Sequence, residues 1–102
     1  MNNSTKDYPQ DVKDIIRYTK IRKQYPELDK KLREEQGYSQ DSITLEQMYW
    51  LLRNLQYTIL RTKYPELDKK IREQKRYKEP LKPAQMNQLI QILQKEDSQC
   101  NN

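Results

Sequence analysis

The segment YTKIRKQYPELDKKLRE at positions 18–34 returns as YTILRTKYPELDKKIRE at positions 57–73, an offset of 39 residues that Tyr38 and Tyr77 also keep. One residue is then lost, and Gln47-Met48 matches Gln85-Met86 at an offset of 38. A period in this range marks a helical repeat, in which each unit hides its apolar face against the next. The repeat constrains architecture strongly and activity hardly at all.

Composition points the same way. One Gly and five Pro leave little material for β-hairpins, whereas Leu, Lys, Arg, Glu and Gln, all good helix formers, are abundant. The expected class is all-α: a single helical domain of two tandem helix-pair repeats, each of about 39 residues, plus a closing C-terminal helix, about five helices in all. Leu, Ile and Val together number 20 of 102 residues and Phe is absent, so the core must be thin and must lean on eight Tyr and one Trp. A homodimer or a partner is expected to complete it.

Local signals place the elements. Thr44-Leu45-Glu46-Gln47 reads as a capping box, and Pro83, aligned with Leu45, falls at a first helical position where proline is tolerated. After Thr44, Leu45, Met48, Leu52, Leu55 and Ile59 form one stripe, while Tyr49, Trp50, Leu51 and Leu60 form a second face. Such a helix has neighbours on both sides, and Trp50 is expected inside. Met86, Leu89, Ile90 and Leu93 repeat the first stripe; Val12, Ile15 and Ile16 give a shorter one. Pro26 and Pro65 divide the chain after Tyr25 and Tyr64: either one long helix kinks there or a new helix begins with proline at its first position, and the acids Glu27, Asp29, Glu66 and Asp68 in the first turn favour the break. These segments are expected to bury Tyr25, Leu28 and Leu32 in one copy and Tyr64, Leu67 and Ile71 in the other. The expected layout is a disordered tail over 1–8, repeats over about 9–43 and 44–82, a closing helix over about 83–95, and a disordered tail over 96–102.

The residue inventory argues against an enzyme. There is no His, the commonest general base and metal ligand, and one Cys without His makes no nucleophile pair. No Gly-rich loop exists to cradle phosphate. No cofactor, metal or small molecule is therefore expected. The longest apolar run, 48–52, is far short of the roughly 20 residues of a membrane span, so no membrane is expected as partner. Residues 1–7 lack the apolar core of a signal peptide, and the lone Cys100 suits a reducing compartment. The expected location is cytoplasmic.

Charge separates the two copies. Residues 22–43 carry five basic and five acidic side chains, while residues 61–82 carry nine basic and four acidic, which accounts for the whole +5 of the chain. Gln36 becomes Lys75, Gly37 becomes Arg76 and Ser39 becomes Lys78, with only Glu79 as a local acid. The acidic and basic residues of the shared Pro-Glu-Leu-Asp-Lys-Lys motif instead pair at i,i+4, as Asp29–Arg33 and Asp68–Arg72 do, and read as a solvated face braced by its own charges. Arg72, Lys75, Arg76 and Lys78, with Lys63, Tyr64 and Tyr77, are the candidate partner-binding residues.

The expected function is a non-catalytic adaptor, inhibitor or regulator acting on another protein with an acidic surface. The alternative is a nucleic-acid-binding regulator using the same basic end. A third reading rests on 37–44, GYSQDSIT, which has the spacing of a helix-turn-helix elbow. It departs from that pattern at Arg33, where a small residue is needed. The helix that follows is also apolar where a base-reading helix is polar.

Overall fold

The computed structural model describes residues 8–100, the side chain of Cys100 excepted. The chain is all-α, and the described residues form five helices: α1 (Gln10–Gln24), α2 (Pro26–Gln36), α3 (Leu45–Lys63), α4 (Pro65–Lys75) and α5 (Pro83–Cys100). No strand occurs among the described residues.

Each boundary has a local cause. Tyr25 closes α1 by donating its N–H to the Ile21 carbonyl (2.9 Å) and opens α2 by accepting from the Asp29 N–H (3.1 Å). Pro26 then sits at the first helical position, where its missing N–H is not needed. Tyr64 and Pro65 do the same between α3 and α4. These pairs are separate helices, as the prolines imply. At α3 both halves of the capping box form: the Gln47 N–H donates to Thr44 Oγ1 (3.1 Å) and the Thr44 N–H to Gln47 Oε1 (3.0 Å). Position 82 is Lys, so α5 keeps only one half, from the Lys82 N–H to Gln85 Oε1 (3.0 Å).

α2 and α4 end in the same Schellman motif. In α2, Gly37 takes the left-handed conformation (φ 72), its N–H donating to Glu34, while the Tyr38 N–H reaches back to Arg33. In α4, Arg76 occupies that left-handed position (φ 59), with Tyr77 reaching back to Arg72.

α5 runs past the end expected near residue 95, to Cys100. Asp97 explains the extension, since it accepts from Lys63 Nζ (2.6 Å) and from the Tyr64 hydroxyl (2.8 Å) and so ties the last turns down. The tail expected over 1–8 lies, Tyr8 apart, outside the described residues, as do residues 101–102.

The chain divides into two compact units, Met1–Leu55 and Gln56–Asn102. The division falls inside α3. The first core holds Tyr18, Leu32, Met48, Leu51, Leu52 and Leu55; the second holds Tyr57, Leu60, Ile71, Leu89, Ile90 and Leu93. Residues 48–55 of α3 thus complete the core begun by Tyr18 of α1 and Leu32 of α2, and residues 89–93 of α5 complete that begun by Tyr57 and Leu60 of α3 and Ile71 of α4. Leu51, Leu52 and Leu55 stand to the first core as Leu89, Ile90 and Leu93 stand to the second. Trp50 is half-buried, its ring edge-on to Tyr38 (5.8 Å, 80°). Tyr25, expected inside, is 41% exposed. It stands at the junction of α1 and α2, outside the helical conformation of either (φ −131, ψ 61).

Leu52→Ala and Leu55→Ala are each expected to cost about 2–4 kcal/mol, a large part of the stability of so small a chain. Urea unfolding measures this; a loss below about 1 kcal/mol for Leu55, which is wholly buried, would contradict its place in the core.

Candidate functional site

The surface is built outward from a buried acid. Asp29 and Asp68 are 2% and 0% exposed, among the least accessible residues of the molecule. A carboxylate at such a depth persists only when paired and hydrogen-bonded. Asp68 accepts from the Tyr57 hydroxyl (2.6 Å) and from Arg72 Nε (2.8 Å), with Arg61 Nε at 3.6 Å. Asp29 accepts from the Tyr18 hydroxyl (2.5 Å), with Arg33 Nε at 3.0 Å and Arg22 Nε at 3.3 Å. Arg33 Nη2 also donates to the Tyr18 hydroxyl (2.7 Å). Its Nε faces Asp29 closely enough for an ion pair but off the line of a hydrogen bond. That nitrogen is the one buried side-chain polar atom without a hydrogen bond among the described residues.

These contacts correct the surface reading of the motif. Asp29–Arg33 and Asp68–Arg72 do pair at i,i+4, but they point inward. In α2, residues 28, 29, 32 and 33 share one helical face, so the acid and the arginine lie on the same stripe as Leu28 and Leu32. Burial, and then the adjoining carboxylate, raise the pKa of the Tyr18 and Tyr57 hydroxyls above the usual 10.0. Burial works against the charge on Arg72, but Asp68 outweighs it and the pKa rises.

The two units diverge where the arginines leave the core. Arg33 is 1% exposed and spends Nη1 on the carbonyls of Ser39 (3.0 Å) and Gln40 (3.2 Å), stitching α2 to the loop that follows. In the second unit the acceptor is a side chain. Glu79 Oε2 lies 3.3 Å from Arg61 Nη1 and 3.8 Å from Arg72 Nη1. Glu79 stands at the sister position of Gln40. It is 55% exposed, so its ion pairs are of the screened kind that contribute about 0–1 kcal/mol each.

The candidate binding residues therefore separate into two groups. Arg72 is committed to Asp68 and Glu79. Lys63 is held by Asp97, and its ammonium lies 5.8 Å from the Tyr64 ring centre. Tyr64 and Tyr77 are half-buried and pack against the second core. Their hydroxyls donate to Asp97 and to Gln88 (2.5 Å), respectively. These four brace the surface. Lys75, Arg76 and Lys78 are exposed at the end of α4 and in the loop beyond it, and Glu79 turns to Arg61 and Arg72 instead of to them. Sequence reasoning missed Arg61 and Glu79. The signal was present, because Arg61 recurs at the Arg22 position while Glu79 replaces an uncharged Gln40.

No helix of the described residues is long and apolar enough to cross a membrane. No family model, curated protein or solved structure matches the chain.

Removing either buried acid strands its arginine, and the two arginines differ. The Arg33 side chain is 2% exposed, whereas that of Arg72 is 21% exposed and lies near Glu79. Asp29→Ala is expected to cost about 3–5 kcal/mol, and Asp68→Ala clearly less. Chemical denaturation of both variants orders them; equal losses would contradict the argument. The tyrosines predict alkaline lability. A hydroxyl whose folded pKa is raised keeps its proton where the unfolded chain has lost it. Its contribution is complete below about pH 10 and is lost as pH rises toward the folded pKa. Tyr57→Phe should flatten the fall in stability above pH 10, and an unchanged slope would refute that assignment.

Proposed function

We propose that the chain is a non-catalytic interaction protein, a small adaptor, inhibitor or regulator acting in the cytoplasm. Lys75, Arg76 and Lys78 engage an acidic surface on another protein. The observation that carries this reading is the backbone of Arg76. A Schellman motif calls for glycine in its left-handed position, and α2 has Gly37 there, with nothing within 4 Å of where a Cβ would stand. α4 has Arg76 instead, at φ 59. A side chain held there costs about 1 kcal/mol or more, and such strain persists where function requires it. The cation at the helix end also answers the dipole of α4. Lys75, however, already does so from an unstrained position in the last turn. A protein partner is favoured over nucleic acid because Tyr64 and Tyr77 have their hydroxyls engaged and their rings against the core. They are not free to stack on bases.

Arg76→Gly separates the two roles. It is expected to stabilise the chain by about 1 kcal/mol in thermal or urea unfolding while weakening partner binding. The triple change Lys75→Gln, Arg76→Gly and Lys78→Ser, which installs the residues of the first copy, should leave the protein folded and slow association with the partner. The partner is recovered by pull-down from lysate with and without nuclease, and binding is followed kinetically. Binding that survives the triple change would sink the reading. Loss of the partner on nuclease treatment, with a salt slope reduced by about 3 in the triple variant, would establish the nucleic-acid alternative instead.

A further inference from the structure

Beside the three free cations, two guanidinium groups converge on one carboxylate oxygen. Arg61 and Arg72 are both oriented by buried Asp68 through Nε, at 3.6 and 2.8 Å. Each turns Nη1 to the same atom, Glu79 Oε2, at 3.3 and 3.8 Å. Arg61 also lies over the Tyr57 ring at 5.8 Å. The result is a pair of guanidinium groups that each present one Nη1 to the same carboxylate oxygen, a convergence of two cations suited to holding an anion.

Glu79 is not required by the framework that holds it. The first unit builds the corresponding loop with the Ser39 and Gln40 backbone carbonyls as acceptors, and the residue at the Glu79 position is neutral. Glu79 is mostly exposed, on a loop that also carries free Lys78. Its hold on the two arginines is weak and screened by salt.

We propose that Arg61 and Arg72 form a carboxylate-binding site for an acidic side chain of the partner, and that Glu79 is an internal surrogate that the partner's acid displaces. This rests on the proposed engagement of an acidic protein surface. It assigns the anchoring carboxylate to the arginine pair, leaving Lys75, Arg76 and Lys78 to attract and orient. The partner's acid must replace the ion pairs that Glu79 makes with Arg61 and Arg72, so the intact chain binds more weakly than one without that acid.

The test uses the full chain and a hexaglutamate peptide, with inorganic phosphate titrated in parallel. Binding is read by calorimetry and by the NMR signals of the Arg61 and Arg72 Nε–H groups. In the unaltered protein the peptide should shift both signals. Glu79→Gln should bind the peptide about threefold to fivefold more tightly at low salt, and the gain should vanish at high salt. Arg61→Gln added to Glu79→Gln should abolish the gain. Peptide binding that leaves both arginine signals unmoved, or is equal with and without Glu79, would overturn the proposal. So would phosphate binding tighter than the peptide. The titration of the unaltered chain stands even if a variant folds poorly. Comparison with the Lys75→Gln, Arg76→Gly, Lys78→Ser protein separates the two claims. If that protein loses the peptide while Glu79→Gln changes nothing, the acidic-surface reading stands and the surrogate fails. If neither set of changes alters binding, both fail.

Discussion

A buried aspartate that cannot remain unpaired organises each unit of this molecule. Taking a carboxylate out of water costs several kcal/mol, and only good geometry with further hydrogen bonds recovers it. Asp29 and Asp68 meet that demand from three directions. A tyrosine comes from the preceding helix, an arginine from the next turn of the same helix, and a second arginine from near the break at Tyr25 or Tyr64. These contacts fix the angle at which one helix hands over to the next, because the proline break alone leaves that angle free. The apolar contacts of such a thin core are non-directional and do not supply this constraint.

Once the acid is satisfied, what lies beyond the arginines is free to differ. In the first unit Arg33 is consumed by backbone carbonyls and sealed from water. In the second, the loop has lost one residue, and Arg61 and Arg72 reach a side-chain carboxylate at the surface. The aromatic contact between Tyr38 and Trp50 in the first unit gives way to a hydrogen bond between Tyr77 and Gln88 in the second. The same scaffold therefore offers a sealed end in one unit and a charged, accessible end in the other.

Much of the architecture was legible in the residues, because the signals were local. The Thr44–Gln47 capping box, the prolines at positions 26, 65 and 83, and the stripes of α3 and α5 each specify a neighbour within a few residues. The division inside α3 was harder to see. It depends on which half of a two-faced helix packs with which partners, and that is a long-range fact. The buried acids were misread for a different reason. Identity between the copies marks Asp29 and Asp68, but it equally marks Glu27, Lys30 and Lys31, which are exposed. Periodicity was the better guide, since Asp29 and Arg33 fall on the Leu28–Leu32 face. Treating charge as a sign of solvent hid that pattern. Of the candidate site, Lys75, Arg76 and Lys78 stood out because they replace uncharged residues. Arg61 stood outside it, because its partner Glu79 lies 18 positions further along the chain.

The left-handed residue at the end of α4 links these levels. Tyr77 is fixed twice, by its backbone bond to Arg72 and by its hydroxyl on Gln88, and its ring packs against the second core. The chain must therefore turn at position 76, and the turn needs a positive φ whatever residue stands there. Selection for stability alone would place Gly at that point, as at Gly37. Asp68 and Tyr77 hold the framework firmly enough to tolerate the strained arginine. The cost of Arg76 falls on a helix end that is already over-determined, not on the thin core, which has little stability to spare. The rigid buried anion and the strained exposed cation are thus complementary: the first lets the second be carried without loss of the fold.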